Sequence, residues 1–427
     1  MWGRARHPRH GPLLWGLVVL LLVALLVPGG VRADGPAPAP AASFSGEAAL
    51  QHVYYLAETI GSRPAGSAQE AAAAAYLAAE LTRYGYQTEI QPFPIQVYEE
   101  RGARVTLLPE GTSVETTALF YSASGEVSGA LADAGLGRPG DWAPGALDGR
   151  VALIERGEIP FAEKVANVAA AGAVAAIVFN NVDGGYTGTL QRPAPIPAVT
   201  LPRAQGLALR ERLQHEDLSV QVTVDAQLAT RESRNVVGVR PGAQPGAVVV
   251  GGHFDSVPAG PGANDNASGT ATVLELARVM ASRDYPYTLY FVAFGAEEIG
   301  LRGSQYFVST LAPEARQALR AMVNLDMVGV GDEQRLAGSR ELVELGRAVA
   351  ETLGIARLQV SSGASAGASS DHESFQRVGV PVLFVHRMPD PNYHSPGDRA
   401  EHVEPQYLAL AGQLVLGVLE RLATAEQ

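Results

Sequence analysis

The sequence predicts an α/β protein: a mixed, centrally parallel sheet with helices on both faces, interrupted by an inserted β-rich α+β domain. Three observations predict it. From Asn235 onward, apolar strand-like runs alternate with amphipathic helical stretches, the rhythm of parallel strands joined by crossover helices. Clusters of His, Asp and Glu stand directly after those runs, where open α/β sheets place their sites. Between residues 109 and 227 the texture changes to short strands rich in Gly, Ala and Pro, with a strand–helix–strand logic of its own.

Taken in order, the chain opens with Arg4, Arg6 and Arg9, an apolar run over residues 13–27, and a small residue at Ala33. A positive head, a short apolar middle and a small-residue end read as a secretory signal over residues 1–33. The run falls short of the ~20 residues a spanning helix needs, and an uncleaved anchor is the alternative. Residues 34–45, with their Ala-Pro repeats, read as a flexible leader.

Residues 46–84 carry helical periodicity, broken at Gly61-Ser62-Arg63-Pro64, and strands follow near 87–97 and 104–108. Inside the inserted stretch lie apolar strands at 149–157 and 175–181, with an amphipathic helix between them at 161–172. The alternation after Asn235 gives strands near 236–239, 247–250, 287–294, 322–325 and 380–385. Helices are expected near 267–281, 340–353 and 407–422. The expected domains are therefore 46–108 with 228–427, and an insertion at 109–227.

Composition narrows the function. Hydrophobic residues at 47% and charged residues at 18% belong to a globular chain. A net charge of −12 argues against a nucleic-acid partner, which rewards a basic face. With no cysteine there is neither a disulfide nor a lipid-attachment thiol. An exported chain of this kind must be held by core burial and bound metal.

The chemistry-bearing residues stand after the strands. They are Gly251-Gly252-His253-Phe254-Asp255, Asn264-Asp265-Asn266 before a helix, Glu297-Glu298, Asp326, and Asn392-Tyr393-His394. Singly, each has an ordinary reading as a loop histidine, a solvated acidic pair, a helix cap or a turn. Together they supply imidazole nitrogens and carboxylate oxygens, which zinc binds at ~2.0–2.2 Å. Two His and three carboxylates suffice for two zinc ions if one carboxylate is shared. Glu297 and Glu298, at a strand end, are expected to point to opposite sides, one towards metal and one towards the attacking water. Asp255, two residues after His253, suits a role in fixing its tautomer. Asn266-Ala267-Ser268 fits a glycosylation sequon only by coincidence, because its place beside Asp265 would bury it. His52, His215, His386 and His402 read as packing or surface, and the Gly/Ser-rich 361–370 stretch as a loop near the substrate.

In combination and order, these clusters resemble the M28 family of co-catalytic di-zinc exopeptidases over roughly 46–108 and 228–427. The resemblance implies the zinc exopeptidase fold, two Zn2+ per chain, and His253, Asp265, Glu298, Asp326 and His394 as ligands, with Asp265 bridging. It implies Glu297 as general base and Tyr393 as the group that hydrogen-bonds the developing oxyanion. Ser370-Asp371-His372 resembles the family's segment near the substrate pocket, and relatives have a cis Asp265–Asn266 bond. Residues 149–177 of the insertion resemble the protease-associated (PA) domain. The implied activity is a secreted aminopeptidase acting on peptides with a free N-terminus. A carboxypeptidase or dipeptidase of the same fold is the alternative, with Arg302 and Arg387 near the motifs as carboxylate binders. A non-catalytic, receptor-like binding protein is the other rival.

Overall fold

The computed structural model describes residues 42–363 and 369–424, so the expected signal segment, most of the leader and part of the 361–370 loop lie outside the described residues. The described residues all belong to one compact unit. Its elements begin with α1 (Gly46–Tyr54), prolonged by a wider turn at Tyr55–Ile60, then α2 (Ala68–Arg83), β1 (Gln87–Leu108), β2 (Ser113–Thr116) and β3 (Gly125–Asp133). The insertion continues with β4 (Val151–Glu155), α3 (Phe161–Ala170), β5 (Ala175–Phe179), β6 (Ala198–Leu201) and α4 (Arg203–Arg212), and β7 (Ser219–Arg240) leads out of it. Then come β8 (Ala247–His253), α5 (Gly269–Met280), β9 (Thr288–Phe294), α6 (Arg302–Thr310), α7 (Pro313–Gln317), β10 (Leu319–Leu325) and β11 (Glu333–Gly338). The chain closes with α8 (Arg340–Thr352), β12 (Leu358–Ser362), α9 (His372–Gln376), β13 (Val382–Met388) and α10 (Pro405–Thr424).

The start of α1 corrects the expected leader. Ser45 accepts the Ala48 N–H as an N-cap, and its own N–H donates to Glu275 at 2.8 Å. Phe44 is buried in the core beside them. The leader is tied down before its expected end.

Strands β13, β10, β8 and β9 lie side by side and parallel. Every residue of β8 is buried, as a strand covered on both faces requires. Val248 and Val250 enter one core with α1, α2, α5, α8 and α10, while Ala247 and Val249 enter a second with Phe307 of α6 and Phe375 of α9. Each fully buried Val or Phe contributes about 1.5–3 kcal/mol, so the two cores hold this sheet rigid. Helix α10 is long and apolar enough to cross a membrane by length and composition, yet Leu408, Leu414, Val415 and Leu419 sit in the first core.

Two long strands replace several short expected ones. Strand β1 runs unbroken through Glu99-Glu100-Arg101-Gly102, where a register shift between Glu100 and Gly102 absorbs the polar interruption as a bulge. Strand β7 pairs antiparallel with β1 along nearly its whole length, with β3 at its start (Ser219–Val224) and with β9 at its end (Val236–Arg240). The boundary expected at 227/228 falls inside β7. The parallel strands β3, β4, β5 and β6 form the insertion's own sheet, with α3 and α4 packed on it.

Candidate active site

The four parallel strands end nearly flush: Asn324 pairs with Gly251, Leu325 with Val385, and His253 with Phe294. The residues at and just beyond the strand ends therefore meet at one sheet edge. His253 is the last residue of β8, Glu297 and Glu298 lie beyond β9, Asp326 beyond β10, and His394 beyond β13. Asp265 comes from the buried turn between β8 and α5. Gly252 lets β8 approach β10, since a Cβ there would lie 2.3 Å from the Leu325 carbonyl oxygen. That close approach explains a Gly-Gly pair that would otherwise suggest a phosphate loop.

Asp265 stands at the centre. Its Oδ1 lies 3.3 Å from His253 Nε2 and its Oδ2 3.1 Å from His394 Nε2. His253 Nε2 also lies 3.4 Å from Asp326 Oδ1, and His394 Nε2 lies 3.2 Å from Glu298 Oε2. Two groups result, each with one imidazole and one carboxylate of its own, sharing Asp265 between them. Glu297 Oε2 is 3.9 Å from His253 Nε2, on the Asp326 side. The peptide bond between Asp265 and Asn266 is cis, and Asn266 is fully buried.

The expectation for the paired glutamates needs correcting. They do not continue a strand with alternating side chains; the chain leaves β9 through Ala296 at φ 56° and they sit in the turn beyond. Asp255 fixes that turn, its Oδ1 accepting the Glu297 N–H at 3.1 Å and its Oδ2 the Glu298 N–H at 3.3 Å. Its part in orienting His253 is shared: the imidazole Nδ1 is 3.2 Å from the Asp255 carbonyl and 3.5 Å from its carboxylate. Left-handed backbone recurs at Met327 (φ 56°) and His394 (φ 54°), so non-glycine strain gathers at this edge.

Electrostatics say what the cluster lacks. Burial pulls His253 down, but Glu297 and Asp326 outweigh it and hold the imidazole well above its ordinary value. Burial also lowers His394, yet Asp265 and Glu298 raise it to about 10. Burial pushes Glu297 well above the carboxylate range and Glu298 up to about 7. Ionising all four carboxylates beside two imidazoles builds buried negative charge in excess, and such charge demands a cation. Glu298 Oε1 and Asp326 Oδ1 are buried without a hydrogen-bond partner. Nitrogen and oxygen donors with unsatisfied lone pairs suit zinc. Residues and metal fit.

Beside the cluster opens a cavity of about 570 Å³, lined by the proposed ligands, Glu297 and Tyr393, and by Met327, Arg335, Gln359, Phe384, His386 and Met388. Tyr393 stacks on His394 with ring centroids 3.8 Å apart. Asp371 of the Ser370-Asp371-His372 segment is fully buried, and burial pushes it up to about 7. His386 is buried and stacked on Phe384, as the packing reading expects, and it also lines this cavity. Arg387, suggested as a carboxylate binder, turns away to the Gly331 carbonyl and the Tyr407 ring, and Arg302 is an exposed residue outside the lining.

Two supporting residues escaped the sequence reading. Arg63 is fully buried and donates to the carbonyls of Leu56, Gly61, Phe254, Pro261 and Gly262, tying the segment after His253 to the one before Asp265. Asp398 accepts the N–H groups of Asn264 and Asp265. Nothing local in the sequence marks either, because both Asp398 partners and three of the five Arg63 partners lie far away along the chain.

A parallel sheet edge carrying two histidine–carboxylate groups around one shared aspartate defines a metal-dependent hydrolase. The chain belongs to peptidase family M28, whose model matches residues 235–419, and residues 117–209 match the PA domain. Aminopeptidase YwaD of Bacillus subtilis is 32% identical, over 96% of this chain and 95% of its own. The aminopeptidase from Aneurinibacillus sp. strain AM-1 superposes with a TM-score of 0.78 at 32% identity, covering 89% of this chain and 94% of that one. BSAP, a zinc aminopeptidase from Bacillus subtilis, gives 0.77 at 31% identity over 89% and 95%. The chain is thus a hydrolase of peptide bonds with a PA insertion, and the M28 class expected from the motifs holds.

Proposed function

We propose that this protein is a secreted aminopeptidase that holds two zinc ions through His253, Asp265, Glu298, Asp326 and His394, with 109–227 as a PA domain set into the catalytic domain. One observation carries the reading: the two Asp265 oxygens each face a different imidazole, 3.3 and 3.1 Å away. Relatives named as zinc aminopeptidases support the choice of metal and reaction.

Bound zinc supplies Lewis acidity for the scissile carbonyl and a lowered pKa for a water. The protein's own residues supply the rest. Glu297, held in place through the Asp255 carboxylate, takes a proton from the attacking water and passes it to the departing amine. Tyr393, on the cavity wall, donates its hydroxyl to the carbonyl oxygen as negative charge develops there. The surrounding carboxylates attract the cationic α-amine of the substrate. Secretion rests on the N-terminal arginines and apolar run. Leucyl chromogenic amide compared with its N-acetylated form tests the reading: only the free amine should be cleaved, and equal cleavage would defeat it.

A further inference from the structure

One wall of the cavity is a sheet face. Arg335 of β11 pairs on one side with His386 of β13 and on the other with Gln359 of β12, so three side chains stand in one row across three strands. All three line the cavity that begins at the zinc-binding cluster. Each offers a hydrogen-bond donor: a guanidinium, a carboxamide N–H and an imidazole N–H.

Among the residues lining the cavity, Arg335 is the only arginine, beside the four carboxylates of the cluster. Glu333 engages it from one edge, a single carboxylate oxygen accepting from Nε at 2.8 Å and lying 2.7 Å from Nη2. Nη1 is left over among the described residues. Arg335 therefore has a donor edge beyond the one its ion pair uses. The apolar surface of Phe384 and Met388 lies on the same sheet face, two residues either side of His386 on β13.

We infer that the Gln359–Arg335–His386 row is a carboxylate anchor that sets the substrate preference of this aminopeptidase. The inference rests on the proposed reading of the site. The substrate lies with its amine at the acidic end and a carboxylate at Arg335. That carboxylate comes either from an acidic N-terminal side chain or from the C-terminus of a short peptide. Arginine, with its planar fork, suits either source.

The test uses the full, zinc-loaded enzyme with two substrate pairs: glutamyl against leucyl chromogenic amides, and Leu-Gly-Gly against its C-terminal amide. Arg335→Met should lower kcat/KM for the carboxylate member of one pair by about tenfold, the scale of a lost charge-assisted hydrogen bond. Leucyl amide should stay within about twofold, because it carries no carboxylate to lose. Which pair responds identifies the source. Gln359→Leu should act in the same direction but less, and Glu333→Gln, which releases the guanidinium, should strengthen the preference. Unchanged ratios in both pairs, or a uniform loss across all substrates in both Arg335→Met and Gln359→Leu, would overturn the anchor. An inactive wild-type enzyme on leucyl amide would instead overturn the aminopeptidase reading.

Discussion

Asp398 accepts the backbone N–H of Asp265 at 3.0 Å, while its other oxygen accepts that of Asn264 at 2.6 Å. Because Asp398 lies four residues beyond His394, one carboxylate joins the loop of the shared aspartate to the loop of an imidazole on its far side. Asp390 reinforces the tie by accepting from the Asn264 side chain at 2.7 Å. Two loops from distant parts of the chain are thus tied together.

Replacing Asp398 by Asn keeps the size but turns one acceptor into a donor facing a backbone N–H. Leaving a buried donor unsatisfied costs about 1–3 kcal/mol. Asp398→Asn should therefore lower the melting temperature and speed zinc loss to a chelator. A variant that matches the wild type in both would show that the tie is incidental.

Arg63 makes the same kind of tie on the other side. A lysine keeps the positive charge but has three donors on a single nitrogen and cannot span carbonyls from several segments. Arg63→Lys should destabilise the fold by a few kcal/mol, about the range for stranding buried polar groups. Chemical denaturation of the zinc-free protein measures it, and a shift within error would show that the carbonyls find other partners.

Glu297→Gln should reduce kcat by about 10²–10⁴, the range for losing a positioned general base, while zinc content stays at the wild-type level. Loss of metal together with activity would make Glu297 a ligand instead. Tyr393→Phe, judged on kcat with zinc content unchanged, separates oxyanion stabilisation from metal binding.

Glu70 predicts a pH dependence. It is fully buried in the first turn of α2, accepts the Gly66 N–H at 2.8 Å and the Ser233 hydroxyl, and burial pushes it up to about 7. A raised carboxyl binds its proton more tightly folded than unfolded, so its contribution is full below the unfolded pKa and fades as pH rises towards 7. The span amounts to about 3 kcal/mol at most. Comparing melting temperatures of wild type and Glu70→Gln from pH 4.5 to 8 should reveal a steeper decline in the wild type than in the variant. Parallel curves would remove Glu70 as its source.

How much of this was legible depended on how local each signal is. Apolar runs ending in His, Asp or Glu announced β8, β9, β10 and β13 and the site they carry, because strand and side chain are neighbours in sequence. Strands β11 and β12 were missed: β12 is largely exposed and polar, an edge strand without an apolar run. With them went Arg335 and Gln359. His386 does pack, stacked on Phe384, but its place in the cavity lining shows only once β13 is set beside β11. Arg63 and Asp398 act through backbone groups mostly supplied by remote segments, and no spacing rule encodes that.

The central claim is that a single aspartate is shared between two metal ions. Elemental analysis of purified wild type and Asp265→Ala tests it most directly. Two zinc ions per chain in the wild type, with both lost or nearly so in the variant, is the expected result. One zinc in the wild type, or a variant that still carries two, would contradict it.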